Sequence, residues 1–403
     1  MKNIKNFRNF LLEMPKTDLH LHLDGSLRLD TLIDLAKTGN MQLPAYSQEG
    51  LKKLVFKPNY KDLGEYLEGF QYTCSVLRDK ENLERVAYEL AVDNQKEGVR
   101  YIEVRFAPQL NTTEKLSLKD VMISVNNGLK KAAQEFNSKL APNEPEFHYG
   151  IIACAMRMFN EHFSPYYKNF CNVHSYSKHS EILKLAAFEL AQAMVEIRDR
   201  YAIPIVAIDL AGQEDGYPAE DYTKAYEFAH THFMHKTVHA GEAYGAESIF
   251  QAITKCYADR LGHCLYLFDK SKIQDKNISD KDQYIRNLIT FIAEKRITIE
   301  VCLSSNLQTN PELTDIRNHP FKQMMKEEIS LSLCTDNRLV SQTSMVKEVM
   351  LAVQSFDLSS KELKNIIIYG FKRSFYGPYD KKRKYVRQII NFYTKLEEKY
   401  NIK

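Results

Sequence analysis

The chain has 403 residues, 44% of them hydrophobic, which is enough to bury a large core in one big domain or two ordinary ones. Its 55 basic and 52 acidic residues leave a net charge of +3, which excludes the strongly basic surface typical of nucleic-acid-binding proteins. Seven cysteines without C-x-x-C spacing, and no signal-like or membrane-spanning apolar run, predict a cytoplasmic protein with reduced thiols and no membrane contact.

Eight short β-like runs alternate along the chain with longer helical patterns, such as 82–97 and 181–201, that carry charges on one face and aliphatic residues on the other. This alternation predicts a parallel sheet, either closed into a (β/α)8 barrel or open and doubly wound. The predicted strands are 17–23, 99–105, 147–155, 203–210, 237–240, 260–264, 297–303 and 329–335.

Residues with catalytic or metal-binding chemistry stand where several of these strands end. His22 and Asp24 end the first run, His239 the fifth and His263 the sixth, and Asp336 follows the eighth. In a barrel the C-terminal ends of all strands meet at one mouth, whereas an open sheet would hold its first and last strands far apart. These positions therefore favour a (β/α)8 TIM barrel, an α/β fold, with its active site at that mouth.

The first run, TDLHLHLDGS at 17–26, contains an H-x-H pair. Side chains two positions apart on a strand share one face, so His20 and His22 can bind one ion, although two solvent-facing imidazoles would show the same pattern. The later segments supply His239, His263 and Asp336, and imidazole and carboxylate are the ligand types that zinc prefers. Together these residues predict a metal-centred site.

We interpret residues 1–403 as a single domain with two additions near the mouth. A lid-like helical insertion covers about 45–80, and within it Leu63, Tyr66, Leu67 and Phe70 form one apolar helical stripe. The stripe fits core packing and substrate contact equally well. The second addition, about 158–180, is rich in polar residues and tyrosines and is predicted to be a long loop after the third strand.

Five short motifs recur in order from about residue 14 to about residue 375: HLHLDGS at 20–26, DLAG at 209–212, VHAGE at 238–242, RLGH at 260–263 and CTD at 334–336. In this combination the chain resembles the adenosine deaminase family of zinc-dependent purine deaminases, whose fold is a (β/α)8 TIM barrel with extra helices over the C-terminal mouth. The H-x-E and P-C-x-x-C signature of the other class of zinc deaminases does not occur in the sequence.

The resemblance implies one Zn²⁺ per chain, which would lower the pKa of a bound water from about 15.7 towards about 7. A binuclear site would require a lysine at the end of the fourth strand, which instead reads IDLAG at 208–212. Glu242 would protonate the purine ring nitrogen N1, and His263 would act on the attacking water as a base or an electrostatic stabiliser. Asp336 would both bind the metal and orient that water. The implied metal ligands are His20, His22, His239 and Asp336.

The substrate-binding residues implied by the resemblance are His22, Asp24, Gly212 and Asn337. The Gly212 backbone N–H would meet purine N3, because a glycine allows close approach. Asp24 would accept a hydrogen bond from a ribose hydroxyl, or it could serve as a turn or helix N-cap residue. Asp209 fits either a residue that orients a histidine or a substrate contact.

Residues 337 and 338 depart from the family pattern. Members of the family often carry a second aspartate after the metal ligand, thought to donate a hydrogen bond to purine N7, whereas this chain has Asn337. An asparagine amide can donate that bond at any pH. Arg338 would either favour an anionic purine derivative or form an ion pair at the rim.

The expected function is hydrolytic deamination of adenosine and deoxyadenosine to inosine and deoxyinosine, with a small-molecule nucleoside as the partner. Two alternatives stay open. One is deamination of another 6-aminopurine, such as adenine, an N6-substituted compound or a modified adenosine like aminodeoxyfutalosine. The other is a non-catalytic relative that acts as a binding protein. We expect a monomer or a weak dimer.

Overall fold

The computed structural model of the chain describes residues 4–402, which contain eight parallel strands in the order β1-β2-β3-β4-β5-β6-β7-β8. Each of these strands begins and ends within two residues of its predicted bounds. The strands are β1 Lys16–His22, β2 Val99–Phe106, β3 His148–Met156, β4 Ile205–Ala211, β5 His235–Ala240, β6 Arg260–His263, β7 Thr298–Val301 and β8 Ser330–Leu333.

The first and last strands meet, which closes the barrel. The backbone N–H of Asp336 donates to the carbonyl of His20 at 2.8 Å, and the N–H of His22 donates to the carbonyl of Asp336 at 2.8 Å. Beside this seam the buried carboxylate of Asp18 accepts hydrogen bonds from the N–H of Thr335 at 3.1 Å and from its hydroxyl at 2.6 Å. The (β/α)8 TIM barrel is confirmed, and the open doubly wound sheet is wrong.

The interior of the barrel holds a buried ionic network under the mouth. Arg260 pairs with Glu103 and, at 2.7 Å, with Glu300, while Arg105 pairs with Glu300 at 2.8 Å and with Asp209 at 3.1 Å. Two buried charges are costly unless each is paired and hydrogen-bonded. The network meets that condition, and its carboxylates reach upward to the histidines of the mouth.

Helices surround the strands and follow them along the chain. No helix between residues 4 and 402 is long and apolar enough to cross a lipid bilayer. The α-helices of this part of the chain are α1 Ile4–Glu13, α2 Leu29–Thr38, α3 Gln48–Leu54, α4 Leu63–Glu68, α5 Phe70–Val76, α6 Lys80–Lys96, α7 Leu118–Asn137, α8 Pro165–Val173, α9 His179–Tyr201, α10 Thr223–Thr231, α11 Ala246–Lys255, α12 Lys281–Lys295, α13 Leu303–Thr309, α14 Phe321–Lys326, α15 Met345–Phe356, α16 Ser360–Arg373 and α17 Tyr379–Tyr400.

The segment 45–80 contains the three short helices α3, α4 and α5. Asp62 begins α4, because its carboxylate accepts a hydrogen bond from the N–H of Glu65 at 2.9 Å. Tyr66 of α4 is buried and packs its ring edge-on against Tyr60, with ring centroids 5.1 Å apart. The hydroxyl of Tyr60 donates a hydrogen bond at 3.0 Å to the carbonyl of Val340, which lies beyond β8, so the insertion is packed onto the barrel.

The segment 158–180 is not a loop throughout, because helix α8 occupies its middle. Ser164 caps this helix by accepting a hydrogen bond from the N–H of Tyr167 at 3.2 Å, and Pro165 takes the first helical position, which needs no N–H donor. The ring of Tyr167 stacks on Phe159 at 3.9 Å between centroids. Tyr167 thus forms the buried face of a helix, whereas Tyr176 lies beyond the helix and is exposed.

Candidate metal centre and catalytic pocket

Four side chains from three strand ends point their ligand atoms at one place. His22 Nε2 lies 3.2 Å from His239 Nε2 and 3.4 Å from Asp336 Oδ1, and His20 Nε2 lies 3.4 Å from the same carboxylate oxygen. The ligand atoms of the whole group lie within 4.8 Å of one another, and all four residues are buried. These are the four predicted metal ligands, so the structure brings the complete set together.

The spacing of these atoms fits a small tetrahedral ion. Zinc bonds of about 2.0–2.1 Å in tetrahedral geometry place neighbouring ligand atoms about 3.3–3.4 Å apart. In addition, His20 Nε2 is buried and has no hydrogen-bond partner among residues 4–402. An orphaned imidazole nitrogen is costly unless something occupies its lone pair, which a metal ion does. The donor set and its geometry therefore fit zinc.

Two carboxylates of the interior network orient the imidazoles. Glu300 lies 2.9 Å from His20 Nδ1, and Asp209 lies 3.0 Å from His239 Nδ1. A carboxylate at Nδ1 fixes the ring so that Nε2 faces the metal. The contact with His239 agrees with the histidine-orienting alternative for Asp209.

The charges of the network keep these carboxylates ionised. Although burial alone raises the pKa of Glu300, the guanidinium groups of Arg105 and Arg260 hold it well below its usual range. Asp209 shows the same balance, with His239 and Arg105 opposing burial and lowering its pKa. Both groups are therefore acceptors, not donors, for the histidine N–H groups.

Burial also favours neutral imidazoles at most of the site. It lowers the pKa of His22 well below its usual value and lowers the pKa of His239. Burial and the charge of Arg105 lower the pKa of His20, but the neighbouring carboxylates of Asp336 and Glu300 outweigh both, so this pKa is raised. A metal ion at Nε2 takes the position of that proton.

Glu242 follows β5 and lines a cavity at the mouth of the barrel. One of its carboxylate oxygens lies 3.6 Å from His263 Nε2. Burial, opposed in part by His239, raises the pKa of Glu242 to about 7, and the negative charges of Asp336 and Glu214 add to the effect. Glu242 is thus a carboxyl group poised to hold or release a proton near neutral pH.

Glu214 positions the loop that carries Glu242, and the sequence analysis missed it. Its buried carboxylate accepts hydrogen bonds from the backbone N–H groups of Gly241 at 3.0 Å, Glu242 at 2.9 Å and Ala243 at 2.7 Å, and from the hydroxyl of Ser248 at 2.6 Å. The one available signal was its place two residues after Gly212, beyond the C-terminal end of β4.

His263 ends β6 and has a left-handed backbone, with φ of 64°, as does Asp336 with φ of 59°. Such conformations cost energy in residues other than glycine and persist where surrounding contacts enforce them, which is common at active sites. His263 and Cys302 also lie close enough to share an ion with His20 and Asp336. Burial raises the pKa of the Cys302 thiol well above its usual value, which disfavours the thiolate that metal binding requires.

A cavity of about 490 Å³ opens above the ligand cluster at the mouth of the barrel. This cavity is lined by the four residues of the apolar stripe predicted in the 45–80 segment. It is also lined by the four predicted substrate-binding residues. These lining residues are Leu63, Tyr66, Leu67 and Phe70 from the lid, and His22, Asp24, Gly212 and Asn337 from the barrel.

Asp24 and Gly212 lie on the wall of this cavity. One carboxylate oxygen of Asp24 is buried without a hydrogen-bond partner in the described part of the chain, and burial raises the pKa of Asp24 to about 7. Helix α2 is preceded by Arg28 as its N-cap residue, so the helix-capping alternative for Asp24 is wrong, but Asp24 does lie in a turn with Gly25. Gly212 has φ of 95°, a backbone conformation that requires glycine.

Asn337 joins the lid to the barrel. Its amide donates a hydrogen bond at 2.9 Å to the hydroxyl of Tyr66, which also lies 2.7 Å from the hydroxyl of Ser341. A side chain at residue 25 would place its Cβ 1.8 Å from the amide oxygen of Asn337, so Gly25 makes room for this residue. Arg338 instead turns away to form an ion pair with Glu97, as one of the two alternatives for it predicted.

The model of the adenosine deaminase family matches residues 15–177 and 171–392. The adenosine deaminase of Clostridium acetobutylicum is 31% identical over 371 residues, which covers 92% of this chain and 96% of that protein. The fold is shared with a Burkholderia ambifaria amidohydrolase with bound Zn, at a TM-score of 0.77 and 17% identity, covering 100% of this chain and 97% of that one. It is also shared with the Arabidopsis N6-mAMP deaminase, at a TM-score of 0.73 and 23% identity, covering 95% of this chain and 99% of that one. The chain belongs to the adenosine deaminase family.

Proposed function

We propose that this protein hydrolyses adenosine and deoxyadenosine to inosine and deoxyinosine with release of ammonia, using one zinc ion per chain. The observation that carries the proposal is the position of Glu242. This buried carboxyl group, with its pKa raised to about 7, shares a cavity with the ligand cluster of His20, His22, His239 and Asp336. A proton donor beside a metal site is what addition of water to a purine ring requires.

When bound, the zinc ion supplies a water activated for attack near neutral pH. Attack at C6 pushes an electron pair onto ring nitrogen N1, and Glu242 gives its proton to that nitrogen. The attacking water loses both of its protons, one of which passes by way of the Asp336 carboxylate to the 6-amino nitrogen while the other restores the acid form of Glu242. The carbon–nitrogen bond to the 6-amino group then breaks, ammonia leaves, and C6 becomes a carbonyl carbon. Positioned acid catalysis of this kind is worth about 10²- to 10⁴-fold in rate.

The cavity supports recognition of a nucleoside. The apolar side chains of Leu63, Leu67 and Phe70 offer a surface for the purine ring and exclude water. After β1, Asp24 presents a carboxylate oxygen that has no hydrogen-bond partner among the described residues and can accept from a ribose hydroxyl. After β4, the backbone at Gly212 is open for close approach by the base.

A second candidate substrate is a purine nucleoside 5′-monophosphate with an N6 substituent, such as N6-methyl-AMP. Arg78 favours it, because this cation lines the same cavity and its Nε is buried without a hydrogen-bond partner among the described residues. Arginine is well suited to binding phosphate oxygens in pairs. The Arabidopsis structure of the same fold carries the name of an N6-mAMP deaminase.

The test is to load the purified protein with zinc, measure its metal content, and follow the ultraviolet change that accompanies loss of the 6-amino group. Adenosine, deoxyadenosine, adenine, AMP and N6-methyl-AMP are compared at equal concentrations. We expect about one zinc per chain and the highest kcat/KM for the two nucleosides. A zinc-loaded protein that leaves both nucleosides unchanged contradicts the substrate assignment.

Two variants separate mechanism from specificity. Glu242→Gln keeps the shape of the side chain and removes the acidic proton, so kcat should fall by about 10²-fold or more while zinc content is unchanged. Arg78→Ala should leave adenosine turnover within about threefold, a change of less than ~1 kcal/mol. If the second candidate is correct, the same variant loses most of its activity on the monophosphates.

A further inference from the structure

A chain of three hydrogen bonds reaches His263 from the side opposite the cavity. The backbone N–H of Phe321, the first residue of α14, donates to His319 Nδ1 at 3.0 Å. His319 Nε2 lies 3.2 Å from the amide oxygen of Asn306, and the amide nitrogen of Asn306 lies 3.0 Å from His263 Nδ1. All three side chains are buried, with at most 2% of their surface exposed.

The first donor determines the direction of every bond in this chain. A backbone N–H can only donate, so His319 Nδ1 must carry a lone pair and His319 Nε2 must carry the proton. That proton faces the oxygen of the Asn306 amide, which leaves the amide NH₂ group facing His263 Nδ1. His263 Nδ1 therefore accepts, and the proton of this imidazole stands on Nε2.

The reverse arrangement fails at its far end. If His263 carried its proton on Nδ1, the Asn306 oxygen would have to face it, and the amide NH₂ group would require a lone pair on His319 Nε2. His319 Nδ1 would then be protonated and would meet the N–H of Phe321, donor against donor. Leaving buried donors unsatisfied costs about 1–3 kcal/mol each, which selects the observed direction.

A doubly protonated His319 meets the same obstacle at the N–H of Phe321. Burial independently disfavours its charge and, together with the nearby His263, lowers the pKa of His319 to about 3. The side chain is 2% exposed, so no solvent proton reaches it readily. His319 is therefore a neutral imidazole that passes a fixed hydrogen-bond direction from α14 to the amide of Asn306.

We infer that Asn306 and His319 are positioning residues that hold His263 as a neutral hydrogen-bond donor, with its Nε2–H directed into the catalytic cavity. This inference deepens the proposed function and rests on it for its catalytic meaning. An imidazole with its proton on Nε2 cannot take a proton from the attacking water at that nitrogen. His263 acts instead as an electrostatic stabiliser that donates to the oxygen adding to C6.

Two consequences for the neighbours of His263 follow. The carboxylate of Asp336 is the remaining proton acceptor beside the attacking oxygen. Glu242, 3.6 Å from His263 Nε2, faces a donor and not a competing base. The acid and the stabiliser therefore do not exchange roles.

The direct test is nitrogen NMR of the full-length, zinc-loaded protein labelled with [15N]histidine, because the shifts of the two ring nitrogens report which one carries the proton. The signals are assigned by their disappearance in His263→Gln and His319→Gln. We expect protons on Nε2 of both residues and bare Nδ1 nitrogens. A proton on Nδ1 of His263 in the wild-type protein overturns the inference.

The variant that reverses the bond is Asn306→Asp, which has the same shape but presents only acceptors to His263 Nδ1. We expect the His263 proton to move to Nδ1 and kcat to fall by about 10²- to 10³-fold, the usual effect of losing one stabilising donor. KM should change by less than about threefold and zinc content should stay at one per chain, since substrate and metal contacts are retained. An unchanged His263 tautomer contradicts the inference.

A second variant, His319→Asn, keeps an acceptor for the N–H of Phe321 and removes the donor to Asn306, so kcat should fall by about tenfold, or ~1.4 kcal/mol. The matched control is Ser304→Ala, on the same helix α13, whose hydroxyl contacts Thr343 and not the chain of bonds. It should leave both tautomer and kcat unchanged. The tautomer measurement needs no substrate, so it stands or falls separately from the proposed function.

Discussion

Glu214 accepts the backbone N–H of Glu242 at 2.9 Å, so one carboxylate fixes the position of another. The same Glu214 side chain also binds the N–H groups of Gly241 and Ala243. The loop after β5 is therefore built around a buried anion, and the direction of the Glu242 side chain depends on it.

We expect Glu214→Gln to lower kcat by about tenfold or more, or ~1.4 kcal/mol of transition-state stabilisation. Glutamine has one acceptor oxygen, and its NH₂ group would face backbone donors, so the loop must shift. Steady-state kinetics with adenosine measure the effect. Ser248→Ala is the control, because it removes one donor from the same carboxylate and leaves the loop amides in place. Full kcat in Glu214→Gln would show that Glu242 is positioned by other contacts.

The orientation of His239 by Asp209 predicts an effect on metal affinity. Asp209→Asn replaces a charged acceptor with a neutral amide, and loss of such a partner typically weakens metal binding by about 10- to 100-fold. Competition with a chromophoric chelator measures the zinc dissociation constant directly. Cys154→Ala removes a weak donor at 3.5 Å from the same carboxylate and should leave the affinity unchanged. Equal affinities in Asp209→Asn and the wild type contradict the assigned role.

The hydroxyl of Tyr66 in helix α4 contacts Asn337 and Ser341 of the barrel, and Tyr66→Phe tests that contact. Removing the hydroxyl leaves the amide of Asn337 and the hydroxyl of Ser341 without this partner, at a cost of about 1–2 kcal/mol. We expect KM for adenosine to rise by about 5- to 30-fold with a kcat within about threefold, since the change affects closure over the substrate. Tyr60→Phe, which loses a bond to the carbonyl of Val340, is the matched control. A larger effect on kcat than on KM would place Tyr66 in catalysis.

Lys16 predicts a pH dependence of stability. Its ammonium group donates to the carbonyls of Leu11 and Met14 in a fully buried position, and burial, opposed by Glu97 and assisted by Arg100, lowers its pKa to about 7. An exposed lysine has a pKa of 10.5, so between pH 7 and that value the unfolded chain binds more protons than the folded one. Stability from this group therefore rises with pH over that window.

Chemical denaturation of the wild type and of Lys16→Met at several pH values measures this contribution. The difference in unfolding free energy should move in favour of the wild type above pH 7, with a slope approaching ~1.4 kcal/mol per pH unit. Below that pH the difference should become constant. A difference independent of pH between 7 and 10 would contradict the lowered pKa.

The fold and the metal ligands could be predicted from the sequence because two independent patterns agree. The strands form short apolar runs between long helical patterns, and His22, His239 and Asp336 stand at or just beyond the ends of three of them. A barrel brings the C-terminal ends of its strands together, so residues that are far apart along the chain could be predicted to meet. The helical spacing of the apolar stripe at Leu63, Tyr66, Leu67 and Phe70 could also be predicted. The sequence did not indicate whether the stripe packs in the core or lines the cavity.

Other residues around the site could not be predicted, because their roles depend on hydrogen bonds to backbone groups, which leave no pattern in the sequence. Glu214 binds mainly N–H groups, which every residue except proline possesses, so no partner pattern identifies it. His319 and Asn306 act through the amide of Phe321, again a group without sequence identity. Helix α8 is different, since Ser164 followed by Pro165 is a start signal that the surrounding polar residues obscured.

The seam between β1 and β8 has a consequence for the synthesis of the protein. His20 and His22 leave the ribosome early, whereas Asp336 is translated only after all eight strands, and its backbone then bonds to β1. A nascent chain therefore holds an incomplete set of ligands until the eighth strand is in place. Because an ion bound by the whole set would stabilise only the closed barrel, the zinc ion that we propose would distinguish finished molecules from truncated ones.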